Sequence, residues 1–150
     1  MKYDLNRFKE AQESCYQQVL TEMKNCKKRT HWIWFIFPQI AGLGKSETAK
    51  KYEIANLEEA EYYLRDTLLS KRLVELTRIL VDEVESKDAE EIFGFPDYLK
   101  FQSSMTLFNS VVKSNQQFPD NNNFSCFEVA ILQYFDGKLD GRTLEILKSV

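Results

Sequence analysis

The stretch Thr30-His31-Trp32-Ile33-Trp34-Phe35-Ile36-Phe37-Pro38-Gln39 decides the fold class of this chain. The run from Trp32 to Phe37 is aromatic and β-branched, which favours a strand, but six apolar residues also suit a buried helical turn. The sequence contains no other convincing strand, and a lone strand would leave its backbone amides and carbonyls without ladder partners. We therefore expect this run to be helical or irregular and buried, and the chain to be all-α.

Apolar residues at helical spacing predict the elements of the first half. An amphipathic helix is expected from residue 5 to about residue 25, with Asp4 as its cap. Asn56, followed three residues later by Glu59, marks the start of a second helix, and the helical pattern continues from Leu69 to Val84. Helices are thus the main element of this half.

Start and stop residues predict the elements of the second half. A capped turn is expected over residues 88–94, and Pro96 with Asp97 is expected to open a helix. Residues 114–123 are rich in turn formers and predict a loop. Further helices are expected over residues 124–137 and 142–148.

Composition indicates a globular protein. The chain has 150 residues, of which 43% are hydrophobic and 13% aromatic, enough for one dense core. We expect a single domain over residues 1–150, and a monomer. The formal net charge of -3, from 20 basic and 23 acidic residues spread through the chain, argues against nucleic-acid binding.

The cysteine and histidine counts bear on metal binding and compartment. Three cysteines and one histidine, without paired ligand spacing, do not build a closed zinc site, so we expect no metal and no cofactor. Unpaired cysteines fit a reducing compartment, and no apolar run approaches the roughly 20 residues that span a bilayer. A cytoplasmic protein without membrane contact is expected.

Two glycines precede a possible helix start. Gly44-Lys45-Ser46 resembles the end of a phosphate-binding P-loop, but Gln39 stands where the first glycine of that motif belongs, which argues against nucleotide hydrolysis there. Gly42 and Gly44 permit close approach, and Ser46 can cap a helix whose free amides attract an anion. The alternative, which we favour, is an ordinary glycine turn before a capped helix.

His31 is the natural candidate for proton transfer because its unperturbed pKa lies near neutrality. It stands beside a basic cluster that includes Lys28, which suits either an anion contact or a solvated helix end. Trp32 and Trp34 can stack a base or sugar, although core packing is the ordinary role for all three residues.

A hydroxyl-rich stretch follows Asp97 and Lys100. Its members are Ser103, Ser104 and Thr106, which need hydrogen-bond partners if they are buried. A Ser-His-Asp triad can be drawn with His31 and Asp97, but the sequence supplies neither a nucleophile elbow nor an oxyanion-hole signal.

The chain resembles the bacterial family known as domain of unknown function 1810. The resemblance spans nearly the full length, and its most specific part is the string His-Trp-x-Trp-Phe-Ile-Phe-Pro-Gln over residues 31–39. Further matching positions include Gly42-Leu43-Gly44, Ile92-Phe93-Gly94, Ser103-Ser104-Met105-Thr106 and Asp140 with Thr143-Leu144.

The resemblance implies a mainly helical domain and brings no established activity. Cys26 stands where the family usually has Gly, and Lys45 where it often has Arg. Some similar sequences carry the label calpastatin, but inhibitors of that type are largely disordered repeats, whereas this chain is compact in composition and lacks a repeat.

Two functions are weighed for this chain. In the first, a pocket between residues 31–46 and the helix after Asp97 binds a small anionic ligand, a nucleotide or phosphorylated metabolite; whether the protein is an enzyme stays open. Any catalysis is expected to be hydrolysis or group transfer with His31 as acid or base. The predicted ligand contacts are Lys28, Trp32, Trp34, Gln39, Gly42, Gly44, Ser46, Asp97, Lys100, Ser103, Ser104 and Thr106. The alternative is a non-catalytic interaction or regulatory domain.

Overall fold

The computed structural model describes residues 2–84, 87–115, 118 and 121–149, and the fold it gives them is all-α, as the sequence predicts. The helices, in chain order, are α1 (Asn6–Glu13), α2 (Tyr16–Lys24), α3 (Ile33–Ile36), α4 (Glu47–Lys51), α5 (Leu57–Arg65), α6 (Thr67–Arg78), α7 (Ala89–Phe93), α8 (Asp97–Ser114), α9 (Asn121–Phe124), α10 (Cys126–Phe135) and α11 (Gly141–Ser149). A π-helical turn, Ile79–Glu83, continues from the end of α6.

The Trp32–Phe37 run forms the short helix α3 and then leaves helical geometry at Phe37. Ile33, Ile36 and Phe37 are buried, as expected. Within the described residues, β-type pairing is confined to one isolated parallel bridge between Ile40 and Ile54. The ambiguous stretch is therefore a short helical turn with most of its residues buried, and the described residues form no sheet.

The predicted first helix is two helices. The chain breaks between α1 and α2 at Ser14 and Cys15, and α1 begins after Leu5 without the Asp4 side-chain cap that the sequence suggested. Two residues after the end of α2, Cys26 has a left-handed backbone with a φ of 60°. Gly, which the family resemblance implies at this position, adopts positive φ without the penalty of a Cβ.

Side-chain caps explain several other helix boundaries. The Asn56 side chain accepts a hydrogen bond from the Glu59 amide and so caps α5, as predicted. Asp88 and Glu91 form a reciprocal capping box at α7, and Asp66 ends α5 and caps α6. The caps divide the long leucine-rich region into separate helices.

Helix α8 is the central element of the core. Its buried residues include Phe101, Met105 and Phe108, and α3, α5, α7, α10 and α11 all contact it. The Phe101 ring lies 4.7 Å from that of Phe93 and 5.0 Å from that of Phe37. These contacts place the segment after α3 directly against the first half of α8.

The structure describes part of the loop predicted over residues 114–123. Residues 116, 117, 119 and 120 lie outside the described residues. The last three residues of the predicted loop belong to α9.

No described helix is both long and apolar enough to cross a bilayer.

A buried carboxylate, Glu22, fixes the segment between α2 and α3. Its Oε1 accepts hydrogen bonds from the amides of Arg29 and Thr30 and from Trp32 Nε1, at 2.7, 3.1 and 2.9 Å. Its Oε2 accepts from the Thr30 hydroxyl and from Gln18. Burial raises the pKa of this carboxyl, but the hydrogen bonds outweigh burial and lower the pKa to about 2.

We predict that Glu22 makes the stability of the fold depend on pH. Because its pKa is lower in the folded state than the ordinary value of 4.5, its contribution is present above pH 4.5 and is lost as the pH falls towards 2. The contribution is about 3 kcal/mol at neutral pH. In urea unfolding at a series of pH values, Glu22→Gln should lower the free energy of unfolding at pH 7 and flatten its decline on acidification.

The control is Glu10→Gln, which changes an exposed carboxylate on α1. An acid-induced loss of stability in Glu22→Gln as steep as that of the parent protein would contradict the role given to Glu22.

Candidate functional site

A cleft of about 340 Å³ lies where the segment after α3, the start of α8 and the start of α11 meet. Its apolar lining consists of Leu43, Pro96 and Leu99. Its polar lining consists of Gln39, Gly44, Lys100, Ser103, Asp140 and Arg142. The two stretches singled out in the sequence therefore share this cleft.

The helical repeat explains which α8 residues face the cleft. Pro96, Leu99 and Ser103 follow one another at intervals of three and four, which places them on one side of the helix. Lys100 lies beside them on the same side. The opposite side carries the core residues around Phe101 and Met105, so α8 presents polar groups to the cleft only in its first two turns.

Backbone contacts hold the opposite wall. The Ala41 amide donates to the Ile54 carbonyl and the Ile54 amide donates to the Gln39 carbonyl, both at 2.8 Å. Gly44 packs against α4 so closely that an added Cβ would lie 2.4 Å from the Ala49 Cβ. Glycine is therefore required at position 44 for packing.

An ion pair between Lys28 and Asp97 lies at the start of α8. Lys28 Nζ lies 2.7 Å from Asp97 Oδ2, and the Lys28 side chain is only 5% exposed. Lys100 Nζ is farther from the same carboxylate, at 3.5 Å from Oδ1, and lies 5.0 Å from the centre of the Trp34 ring. The charge of Lys28 is thus neutralised by Asp97, while Lys100 is only weakly paired and borders the cleft.

Asp140 ties the start of α11 to α8. Its Oδ2 accepts hydrogen bonds from Ser103 Oγ and from the Thr143 amide, at 3.0 and 3.1 Å, and from the Thr143 hydroxyl. The Asp140 amide donates to Thr106 Oγ1 at 2.9 Å. This carboxylate therefore acts as a helix cap through its Oδ2.

Arg142 is exposed and, among the residues that the structure describes, has no hydrogen bond or ion pair to its guanidinium. Sequence reasoning missed Arg142 and Asp140 as site residues. Asp140 with Thr143 three residues later is a capping pattern that marks the start of α11, and this signal was present in the sequence. Nothing in the sequence indicated that this helix start meets α8.

The predicted site residues separate into three groups. Gln39, Gly44, Lys100 and Ser103 line the cleft. Lys28, Asp97 and Trp34 contact one another or Lys100 beside it. The others do not line it: His31, Trp32, Gly42, Ser46, Ser104 and Thr106.

The residues outside the cleft have other environments. His31 is exposed. Trp32 is buried with its indole on Glu22, and Gly42 has a φ of 102° in a turn. Ser46 caps α4 by accepting from the Ala49 amide, which is the ordinary glycine turn and capped helix favoured above.

The hydroxyls of α8 have different partners. Thr106 is fully buried and donates to the Gln102 carbonyl at 2.8 Å. Ser104 is also fully buried, and its Oγ is the one buried side-chain oxygen without a hydrogen-bond partner in the described part of the chain.

Among described residues, no three His, Cys, Asp or Glu side chains are arranged to hold a metal ion.

Comparison with known proteins agrees with the resemblance seen in the sequence. The model of the family described as "Protein of unknown function (DUF1810)" matches residues 2–147. The structure is similar to the crystal structure of the conserved hypothetical protein Rv1873 from Mycobacterium tuberculosis, with a TM-score of 0.90 and 40% sequence identity, over 99% of each chain. No curated protein is significantly similar to the chain.

We predict that Gly44→Ala destabilises the fold by about 1–3 kcal/mol, because the new methyl group overlaps Ala49. Combining it with Ala49→Gly removes the overlapping atom, so the double variant should be more stable than Gly44→Ala alone. Ala49→Gly by itself should cost about 1 kcal/mol through helix propensity. Urea unfolding of all four proteins measures the coupling, and additive effects of the two changes would refute the close contact.

Proposed function

The chain belongs to the family described as "Protein of unknown function (DUF1810)", and within that family we propose that its cleft binds a small anionic ligand, a nucleotide or phosphorylated metabolite. The observation that carries the proposal is the pair of cationic side chains, Lys100 and Arg142, on the lining of one cleft. Both come from helix starts that are far apart in the sequence.

The charges near the cleft favour an anion. Asp97 is 2.7 Å from Lys28 and 3.5 Å from Lys100, so Lys28 neutralises it more fully than Lys100 does. Asp140, whose Oδ2 accepts from Ser103 and Thr143, offsets one of the two cations on the lining, which leaves an excess of one positive charge. Arg142 has no partner within the described residues, and a guanidinium binds phosphate and carboxylate oxygens through paired N–H groups.

The size and lining of the cleft suit a small molecule. A volume of 340 Å³ lies at the lower end of the range of about 300–1,000 Å³ for ligand pockets. A hollow of about 350 Å³ between α6 and α9 is similar in size, but its single cation, Lys71, is balanced by Glu75, whereas the cleft at α8 has two cations against one carboxylate, Asp140. The cleft at α8 is therefore the better anion site.

Ligand binding is better supported than catalysis. His31 does not line the cleft, so the proposed acid or base is not placed beside the proposed ligand. The Ser103 hydroxyl faces a carboxylate without an intervening imidazole. A catalytic role for His31, in hydrolysis or group transfer, stays a prediction.

The interaction domain is the second candidate, and one observation favours it. Phe95 is 71% exposed immediately before Pro96 of the cleft, and Leu99 is 40% exposed. Exposed apolar side chains beside a polar cleft also occur at protein contacts. The anion site is preferred because such a contact does not account for Lys100 and Arg142 on the same lining.

A thermal-shift screen against nucleotides and phosphorylated metabolites tests the proposal. A ligand at 100 times its Kd stabilises the folded state by about 2.7 kcal/mol, which raises the Tm of a chain of this size by about 5–10 °C. We predict at least one such ligand, with the shift strongly reduced in Lys100→Met and in Arg142→Met.

The control is Lys24→Met, which removes an exposed lysine at the end of α2 and should leave the shift unchanged. A flat response across the library, or a shift that survives both cleft variants, would overturn the proposal and favour the interaction domain.

A further inference from the structure

The lining of the cleft combines apolar and charged side chains. Leu43, Pro96 and Leu99 are apolar, Lys100 and Arg142 are cationic, and Asp140 is the one carboxylate. A ligand that fills the whole cleft must therefore combine an anionic group with an apolar group. Resting on the proposed function, we infer that the ligand is a phosphate monoester of a compact apolar alcohol or phenol.

Two cations favour phosphate as the anionic group. A phosphate monoester carries close to two negative charges at neutral pH, so Lys100 and Arg142 attract it more strongly than the single charge of a carboxylate, and Asp140 on the same lining offsets part of this attraction. The Ser103 hydroxyl is not counted as a phosphate donor, because its proton is already donated to Asp140 Oδ2 at 3.0 Å. An anion with several acceptor oxygens can contact both cations.

Volume limits the apolar group. A cavity of about 150 Å³ accommodates a benzene ring, which is less than half of the 340 Å³ in this cleft and leaves room for a phosphate. A nucleotide would instead place a hydrogen-bonding base against Leu43, Pro96 and Leu99, which offer it no side-chain partner, and Gln39 is the one side-chain amide on the lining. Of the ligands in the proposed function, the lining therefore favours a phosphate monoester with an apolar group over a nucleotide.

The exposure of Leu99 supports a ligand with an apolar group. Leu99 is 40% exposed although it lies in the first turn of α8, the described helix with the largest number of buried residues. Contact with an apolar ligand would remove its side chain from water, and Lys100, the next residue, would contact the phosphate. Because Lys100 is charged and adjoins Leu99, the cleft favours a ligand with both an anionic and an apolar group over a purely apolar ligand.

Isothermal titration of the intact protein with phenyl phosphate, inorganic phosphate, benzoate and adenosine monophosphate tests the inference. Phenyl phosphate should bind about tenfold more tightly than inorganic phosphate, the effect of burying roughly 60 Å² of apolar surface. It should also bind more tightly than benzoate and adenosine monophosphate. Leu99→Gln should reduce the preference over inorganic phosphate.

Leu68→Gln is the matched control, because Leu68 is 38% exposed on α6 and does not line the cleft. Equal affinity for phenyl phosphate and inorganic phosphate, with both weakened by Lys100→Met, would overturn the inference and leave the anion site intact. Benzoate or adenosine monophosphate binding as tightly as phenyl phosphate would also overturn it. Absence of binding by all four probes, together with a flat library screen, would remove the anion site itself.

Discussion

The ion pair between Lys28 and Asp97 joins the segment after α2 to the first residue of α8, and the geometry of the cleft depends on this joint. The two charged atoms are 2.7 Å apart and the Lys28 side chain is almost fully buried. Loss of one partner of a buried pair costs about 3–5 kcal/mol because the other charge is left without compensation. The pair therefore fixes where α8 begins, and Lys100 follows one turn later.

The same segment is held from its other side by Glu22. Amides of Arg29 and Thr30 donate to this buried carboxylate, and the Lys28 amide donates to the Ile92 carbonyl at 2.7 Å. Two acidic groups from different helices thus position a short polar stretch that leads into α3. Residues 31–39, the most specific part of the family resemblance, contact α8 through the Phe37 ring, which lies 5.0 Å from that of Phe101.

Much of the fold follows from the sequence, and the failures have physical causes. The caps at Asn56 and Asp88 were predictable because they depend on residues three positions apart. The break at Cys15 was not, because the apolar pattern continues across it and tertiary packing decides the interruption. Of the site, Lys100 and Ser103 could be identified from their stretch, whereas Arg142 required knowing that α11 starts against α8 through Asp140.

The most direct measurement is a titration of the 15N-labelled protein with phenyl phosphate, followed by amide chemical shifts. We expect changes concentrated at Gly44, Lys100, Ser103 and Arg142, because these residues line the cleft between the three elements. Changes concentrated instead around Lys71 and Asn123, which line the hollow between α6 and α9, would contradict the assignment of the anion site to the cleft at α8.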